Sequence, residues 1–278
     1  MSFRIVVDSG CDMLPEMLRD SCFVRVPLSI CSNGKTFIDD DTFDQAELLC
    51  CMKQSDQAPS TACPSPQAYL DAYRGGVEDI YVVTLSARLS GSYNSAVQAK
   101  LLLEEENPEA HVHVFNSRSA VCGETLIART IKEVAKDGRS FHQVVEKVEA
   151  FIDGMTTLVV LEDLENLRKN GRLSKLQAVV TGALKIKLFL HATPEGEIDK
   201  IGQALTIKQA LAKMVDRAAN DPGHKGKPLI IGHCNCPERA SQVREMFEQK
   251  CSFSDISLVE ANGITTVYAN DGGIVAAY

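Results

Sequence analysis

The chain has no excess of positive charge, no long apolar run and no nucleotide-binding glycine loop. Its 29 Lys and Arg face 37 Asp and Glu among 278 residues, a formal net charge of −8 at pH 7. Phosphate backbones are gripped mainly by Lys and Arg, so this balance argues against nucleic acids and anionic membrane surfaces as partners. No apolar stretch approaches the roughly 20 residues of a membrane-spanning helix. The run before Asp8 is too short for a signal-peptide core, so a cytoplasmic protein is expected. Neither G-x-G-x-x-G after the first strand nor G-x-x-x-x-G-K-S/T occurs, and cofactor chemistry is not expected.

Ten cysteines are many, but they follow no disulfide-framework spacing and read as reduced thiols. His233-Cys234-Asn235-Cys236 gathers three metal-competent side chains without the second half-site that zinc usually requires. Packing thiols at a strand end, and no metal, are expected there. The Asp39-Asp40-Asp41 run reads as a solvated loop.

What is present is an ordinary globular composition, 45% hydrophobic, with alternating apolar runs and amphipathic segments in the first half. That alternation predicts a parallel sheet with helices packed on it, with strands at 4–7, 23–30, 79–85 and 112–115. Helices are expected from Pro66 to Gly75, from Ser92 to Glu106, over 122–137 and over 141–151, the last opened by a capping box of Ser140 and Gln143. Beyond Gly154 the order becomes α+β. Expected there are a strand at 156–161, helical pieces at 163–170 and 174–184, and a hairpin joining 187–192 to 197–201 through Pro194-Glu195-Gly196. A helix at 206–220, a strand at 229–233, a helix at 237–251 and three short strands complete the chain. The boundary falls near Asp153-Gly154, dividing an α/β domain (1–153) from an α+β domain (154–278). Without a Pro-, Gly- or Ser-rich linker, the interface should be tight.

Small hydroxyl residues cluster at strand ends: Asp8-Ser9, Ser60-Thr61 and Ser86 to Ser92. Ligands of open α/β sheets bind beyond the carboxyl ends of the strands, where all three segments can meet. The richest is Leu85 to Ser95. The free N–H groups at its helix start, the helix dipole and the close approach allowed by Gly91 together suit a small anion. Ser90, Gly91 and Ser92 are the candidate contacts, with a simple Ser90 helix cap as the competing reading. A serine hydrolase would need Ser90 beside a histidine base, and the G-x-S-x-G elbow is absent because Arg88 and Ser92 hold the glycine positions.

Taken together, these motifs resemble the DegV family of fatty-acid-binding proteins that serve bacterial fatty acid kinases. The resemblance runs over essentially the whole chain: Val7-Asp8-Ser9, Val26-Pro27-Leu28, Ser60-Thr61-Ala62-Cys63-Pro64, Leu85 to Ser95, Asn116-Ser117 before Gly123, Asn170-Gly171-Arg172-Leu173 and Ile186-Lys187. It implies a two-domain architecture, a parallel-sheet α/β domain plus an α+β domain, with a tunnel for one long-chain fatty acid. It also implies that the protein carries the lipid to a kinase that phosphorylates the carboxylate and makes no bond itself. Thr61 and Ser90 inherit the family's carboxylate contacts, and Arg172 is a candidate contact to the partner or the site mouth.

The chain departs from the family at two places. Spacing from the carboxyl terminus puts Tyr268 where the family commonly has a histidine in the carboxylate network. Leu205-Thr206 stands where an Arg-Thr often precedes the long second-half helix. Both changes remove potential positive charge. Two other readings of the residues remain, a lipid or ester hydrolase using Ser90 and a regulatory protein sensing a small anion.

Overall fold

The computed structural model describes residues 3–173 and 186–278; the helical piece expected at 174–184 lies outside them. Strands β1 (Phe3–Asp8), β2 (Phe23–Val26), β6 (Asp79–Thr84) and β7 (His111–Asn116) form an all-parallel sheet in the order β2-β1-β6-β7. A six-stranded mixed sheet, in the order β10-β9-β8-β13-β11-β12, takes β8 (Thr157–Val160), β9 (Lys187–Ala192), β10 (Ile198–Ala204), β11 (Pro228–His233), β12 (Asp255–Glu260) and β13 (Ile274–Ala277). A small antiparallel sheet of β3 (Ser29–Ser32), β4 (Lys35–Ile38) and β5 (Ser60–Ala62) runs in the order β4-β3-β5.

Strand alternation shows how these sheets stack, since successive side chains point to opposite faces. In β1, Ile5 and Val7 enter one core while Val6 enters another with helices α3 (Pro66–Tyr73) and α4 (Ser92–Glu106). In β13, Val275 and Ala277 share the first core with Ile5 and Val7, whereas Ile274 and Ala276 face α8 (Ile207–Ala219) and α9 (Pro237–Lys250). The layer between the two large sheets is α5 (Cys122–Lys136), flanked by α6 (Phe141–Asp153), with α5 touching β1 and β6 on one side and β11 and β13 on the other. Residues from both sides of position 153 therefore share one apolar core. Gly232 allows the close approach: a Cβ there would lie 2.8 Å from Cys122 Sγ.

Ser140 and Gln143 close the capping box that opens α6, with Ser140 N donating to the Gln143 side chain at 3.1 Å. Three readings need correction. The strand expected at 23–30 breaks at Pro27, which has no N–H for a ladder; β2 stays in the parallel sheet and β3 turns into the small one. The last three elements are not all strands, because α10 (Gly263–Ala269) lies between β12 and β13. Asp39 is not solvated but buried, and its carboxylate caps α10: Oδ1 accepts from Gly263 N at 2.6 Å and Oδ2 from Ile264 N at 3.0 Å. Sequence reading also passed over the short α1 (Pro15–Leu18), the strands β4 and β5, and α2 (Gln45–Gln54). The signal for α2 was there, since Asp44 accepts from Glu47 N at its N-cap. The short α7 (Glu165–Lys169) stands inside the span expected for it. Among the described residues, no helix is long and apolar enough to cross a membrane.

Candidate functional site

A cavity of about 320 Å³ opens beyond the carboxyl ends of β1 and β6, a volume within the range of small-molecule sites. Its described walls come from both halves of the chain: Gly10, Leu85, Leu89 and Val121 on one side, and Thr157, Val159, Leu161 and Val275 on the other. Along β8 and the residue after it the side chains alternate, with Thr157, Val159 and Leu161 lining the cavity while Leu158 and Val160 pack beneath α8.

Polar groups gather at the mouth. Thr61 sits on edge strand β5 opposite Ile30, half-buried, with its hydroxyl 2.8 Å from the Tyr268 phenol. Tyr268 rides on α10, whose position is set at several points. Besides the Asp39 cap, Asp12 Oδ1 accepts from Asn262 N at 2.8 Å, Gln45 Nε2 donates to Ala261 O at 2.8 Å, and Asn166 Nδ2 donates to Val267 O at 2.8 Å. Asn170 Nδ2 donates to Pro59 O at 3.0 Å, tying the end of α7 to the strand that carries Thr61. Next in sequence to that asparagine anchor is Gly171, then Arg172. Its guanidinium lies 5.8 Å from the centre of the Tyr268 ring and its Nε donates to Leu89 O at 3.2 Å. The mouth thus holds a cation in cation–π contact with the Tyr268 phenol.

The Ser86–Ser92 turn brings Ser90 to the same mouth. Ser90 Oγ accepts from Ser92 N at 3.2 Å and lies 3.0 Å from Ser92 Oγ; the N-cap position itself is Gly91, without a side-chain cap, so Ser90 closes a local turn ahead of the helix rather than capping it. Gly91 is exposed and faces Cys63; a Cβ on it would stand 2.9 Å from Cys63 Sγ, which joins the β5 segment to the start of α4. Thr61, Ser90, Gly91, Arg172 and Tyr268 all line the cavity. Ser92 does not: it is fully buried behind Ser90, towards Asp8. Asp8 accepts from Gly10 N and Leu85 N, both at 3.0 Å, and so binds together the two strand ends that shape the inner wall. Burial raises the Asp8 carboxyl while these donors, with Glu124 and Ser92, pull it back; burial, then the charge of Asp8, holds Glu124 well above the usual carboxylate range.

Other residues singled out from the sequence lie elsewhere. Leu205 is 73% exposed and outside the cavity lining. His233 is buried, with Nδ1 unpartnered among the described residues and its basicity lowered by burial; Cys234 points to Thr266 and Cys236 to Gly273 O. Among the described residues no group of three or more His, Cys, Asp or Glu side chains is placed to hold a metal ion, and no histidine lines the cavity. All ten cysteines are free thiols.

The family model described as "uncharacterised protein, DegV family" matches residues 2–278. The chain belongs to the DegV family. A DegV domain-containing protein of Streptococcus pyogenes serotype M1 is 35% identical over 280 residues, covering 100% of this chain and 99% of that one. Among solved structures, a DegV protein of Ruminococcus gnavus, described with vaccenic acid, aligns with a TM-score of 0.96 at 46% identity over 100% of this chain and 99% of its own. The fatty acid kinase (Fak) B3 protein of Streptococcus pneumoniae, loaded with linoleic acid, aligns at 0.89 and 34% identity over 100% and 99%. The α/β architecture described above is the DegV fold.

Proposed function

We propose that this chain binds one long-chain fatty acid in the 320 Å³ cavity, with the carboxylate at the mouth, and presents it to a fatty acid kinase for acyl phosphate formation. The observation that carries the reading is the hydroxyl pair of Thr61 and Tyr268 beside Ser90, at the head of a cavity with mainly aliphatic walls. Burying an acyl tail gains about 0.8 kcal/mol per methylene, but a bare buried carboxylate would cancel much of that gain. Hydroxyl donors, the amides at the start of α4 and the Arg172 guanidinium meet the carboxylate's needs. The relatives described with vaccenic and linoleic acids support the same reading.

In this reading the chain is a cytoplasmic carrier without a metal or other cofactor, and residues 1–153 and 154–278 act as two domains that close on the ligand from either side. The kinase, not this chain, makes the new bond, and Arg172 meets the partner or the incoming phosphate at the site mouth. No observation favours the alternatives of a Ser90 hydrolase or a small-anion sensor. Mass spectrometry of a denaturing extract of the protein purified from bacteria tests the binding step and should recover one long-chain fatty acid per chain. Recovery of none, with no uptake of added palmitate or oleate, would overturn it.

A further inference from the structure

Behind the mouth, three buried side chains lead inward from Ser90. Ser90 Oγ lies 3.0 Å from Ser92 Oγ, and Ser92, at the start of α4, reaches the carboxyl of Asp8 at the end of β1. Glu124, in the first turn of α5, is the hydrogen-bonding neighbour of Asp8 on its other side. Ser92, Asp8 and Glu124 are fully buried, whereas Ser90 lines the cavity. Four groups thus form a line from the proposed carboxylate position to a pair of acids in the core.

The charge of Asp8 sets the direction of the hydroxyls along that line. Glu124 keeps its proton, because burial and then the charge of Asp8 hold it well above the usual carboxylate range. Tyr69 from α3, with Cys11 and Asp12 from the turn after β1, also faces the pair, and burial raises all three, so near neutral pH they hold protons too. Negative charge in this cluster therefore sits on Asp8, which already accepts from Gly10 N and Leu85 N at 3.0 Å. While Asp8 is ionised, Ser92 donates inward to it, and Ser92 Oγ can only accept. Ser90 Oγ accepts from Ser92 N at 3.2 Å, so its own proton turns inward to Ser92 Oγ, and an entering carboxylate meets a lone pair. A proton on Asp8 reverses the line: Asp8 donates to Ser92, Ser92 to Ser90, and Ser90 outward to the ligand. It also removes a like charge from behind the carboxylate, in a buried setting that screens such repulsion poorly.

We propose that fatty acid binding is coupled to uptake of one proton by the Asp8–Glu124 pair, with Ser92 as the positioning residue that carries the coupling to Ser90. This inference rests on the fatty-acid reading and adds its regulation. By linkage, affinity rises as pH falls, by up to about 10-fold per pH unit between the values of the pair in the empty and the loaded protein.

The test is calorimetric titration of the full chain, stripped of lipid, with palmitate from about pH 5.5 to 8 in buffers of different ionisation heat, which counts protons taken up per ligand. The parent should take up as much as about one proton per fatty acid. Asp8→Asn, which cannot accept the proton, should lose the uptake and flatten the dependence of affinity on pH. Ser92→Ala, with the line cut, should lose most of the uptake while still binding palmitate. No uptake by the parent at any pH in that range, or equal uptake in the parent and Ser92→Ala, would overturn the inference. Undiminished uptake in a folded Asp8→Asn would overturn it as well, since the proton would then belong to the ligand or to another group; if Asp8→Asn does not fold, the Ser92→Ala comparison decides. A parent that binds no palmitate removes the fatty-acid reading itself, a distinct result.

Discussion

Tyr268 meets Thr61 through its oxygen and Arg172 through its ring, so one side chain joins three parts of the mouth. A phenol carries no charge at pH 7, but the neighbouring guanidinium does. Thr61→Ala and Ser90→Ala should each weaken fatty acid binding roughly 5- to 150-fold, the equivalent of about 1–3 kcal/mol for a lost buried hydrogen bond. Competition titrations would check this, and a variant that binds like the parent while folded would clear its residue of the role. Arg172→Gln should reduce acyl phosphate production by a competent kinase more than it reduces affinity, because the added charge matters most when phosphate arrives. Tyr268→His should raise production relative to the parent, with Tyr268→Phe lowest; equal production by all three would remove residue 268 from the transfer step.

At the scale of elements, the site depends on where α10 is held. Asp39 satisfies two N–H groups that would otherwise be buried without acceptors, so Asp39→Ala should destabilise the fold by about 2 kcal/mol and weaken ligand binding as well. Ser140→Ala should cost about 1 kcal/mol through its lost cap, and calorimetry with binding on the same samples should find its affinity unchanged. These two caps also mark what the sequence makes legible. The Ser140–Gln143 box is local, four residues long, and was readable. The Asp39–Gly263 bond joins residues 224 apart, and nothing local in Asp39-Asp40-Asp41 tells which carboxylate is buried. Thr61, Ser90 and Tyr268 were reached through motif resemblance and spacing, and Arg172 through its place in the Asn170-Gly171-Arg172-Leu173 run. Thr265, which lines the cavity, was missed, because a buried threonine among Ile264, Thr266 and Val267 carries no pattern until the fold shows a cavity beside it.

For the whole molecule, the buried carboxyls set the response to pH. Asp12 faces Asp39, Arg25, Asn262 and Thr265, and burial dominates in raising it to about 8; burial, then the charges of Asp8 and Asp12, hold Glu124 well above the usual carboxylate range. Each binds a proton in the folded state that it has lost in the unfolded chain above about pH 4, so stability falls as pH rises, by up to about 1.4 kcal/mol per pH unit per group. Asp20 is lowered by Lys132, so its contribution is present above its unfolded value and lost as pH falls below it. Urea midpoints should therefore peak in mildly acidic buffer and decline towards pH 8, with a shallower decline in Asp12→Asn; a midpoint flat from pH 5 to 8 would contradict these assignments. The order of strands has a different consequence. β13 lies between β8 and β11, yet both are made before it. Ribosomes deliver strands in chain order, so a growing chain holds two open edges, each ready to pair with a neighbour, until residues 274–277 emerge. Val275 and Tyr268 are also among the last described wall residues to arrive, so, on the proposed reading, a chain not yet grown past residue 275 lacks part of the wall that would enclose a fatty acid.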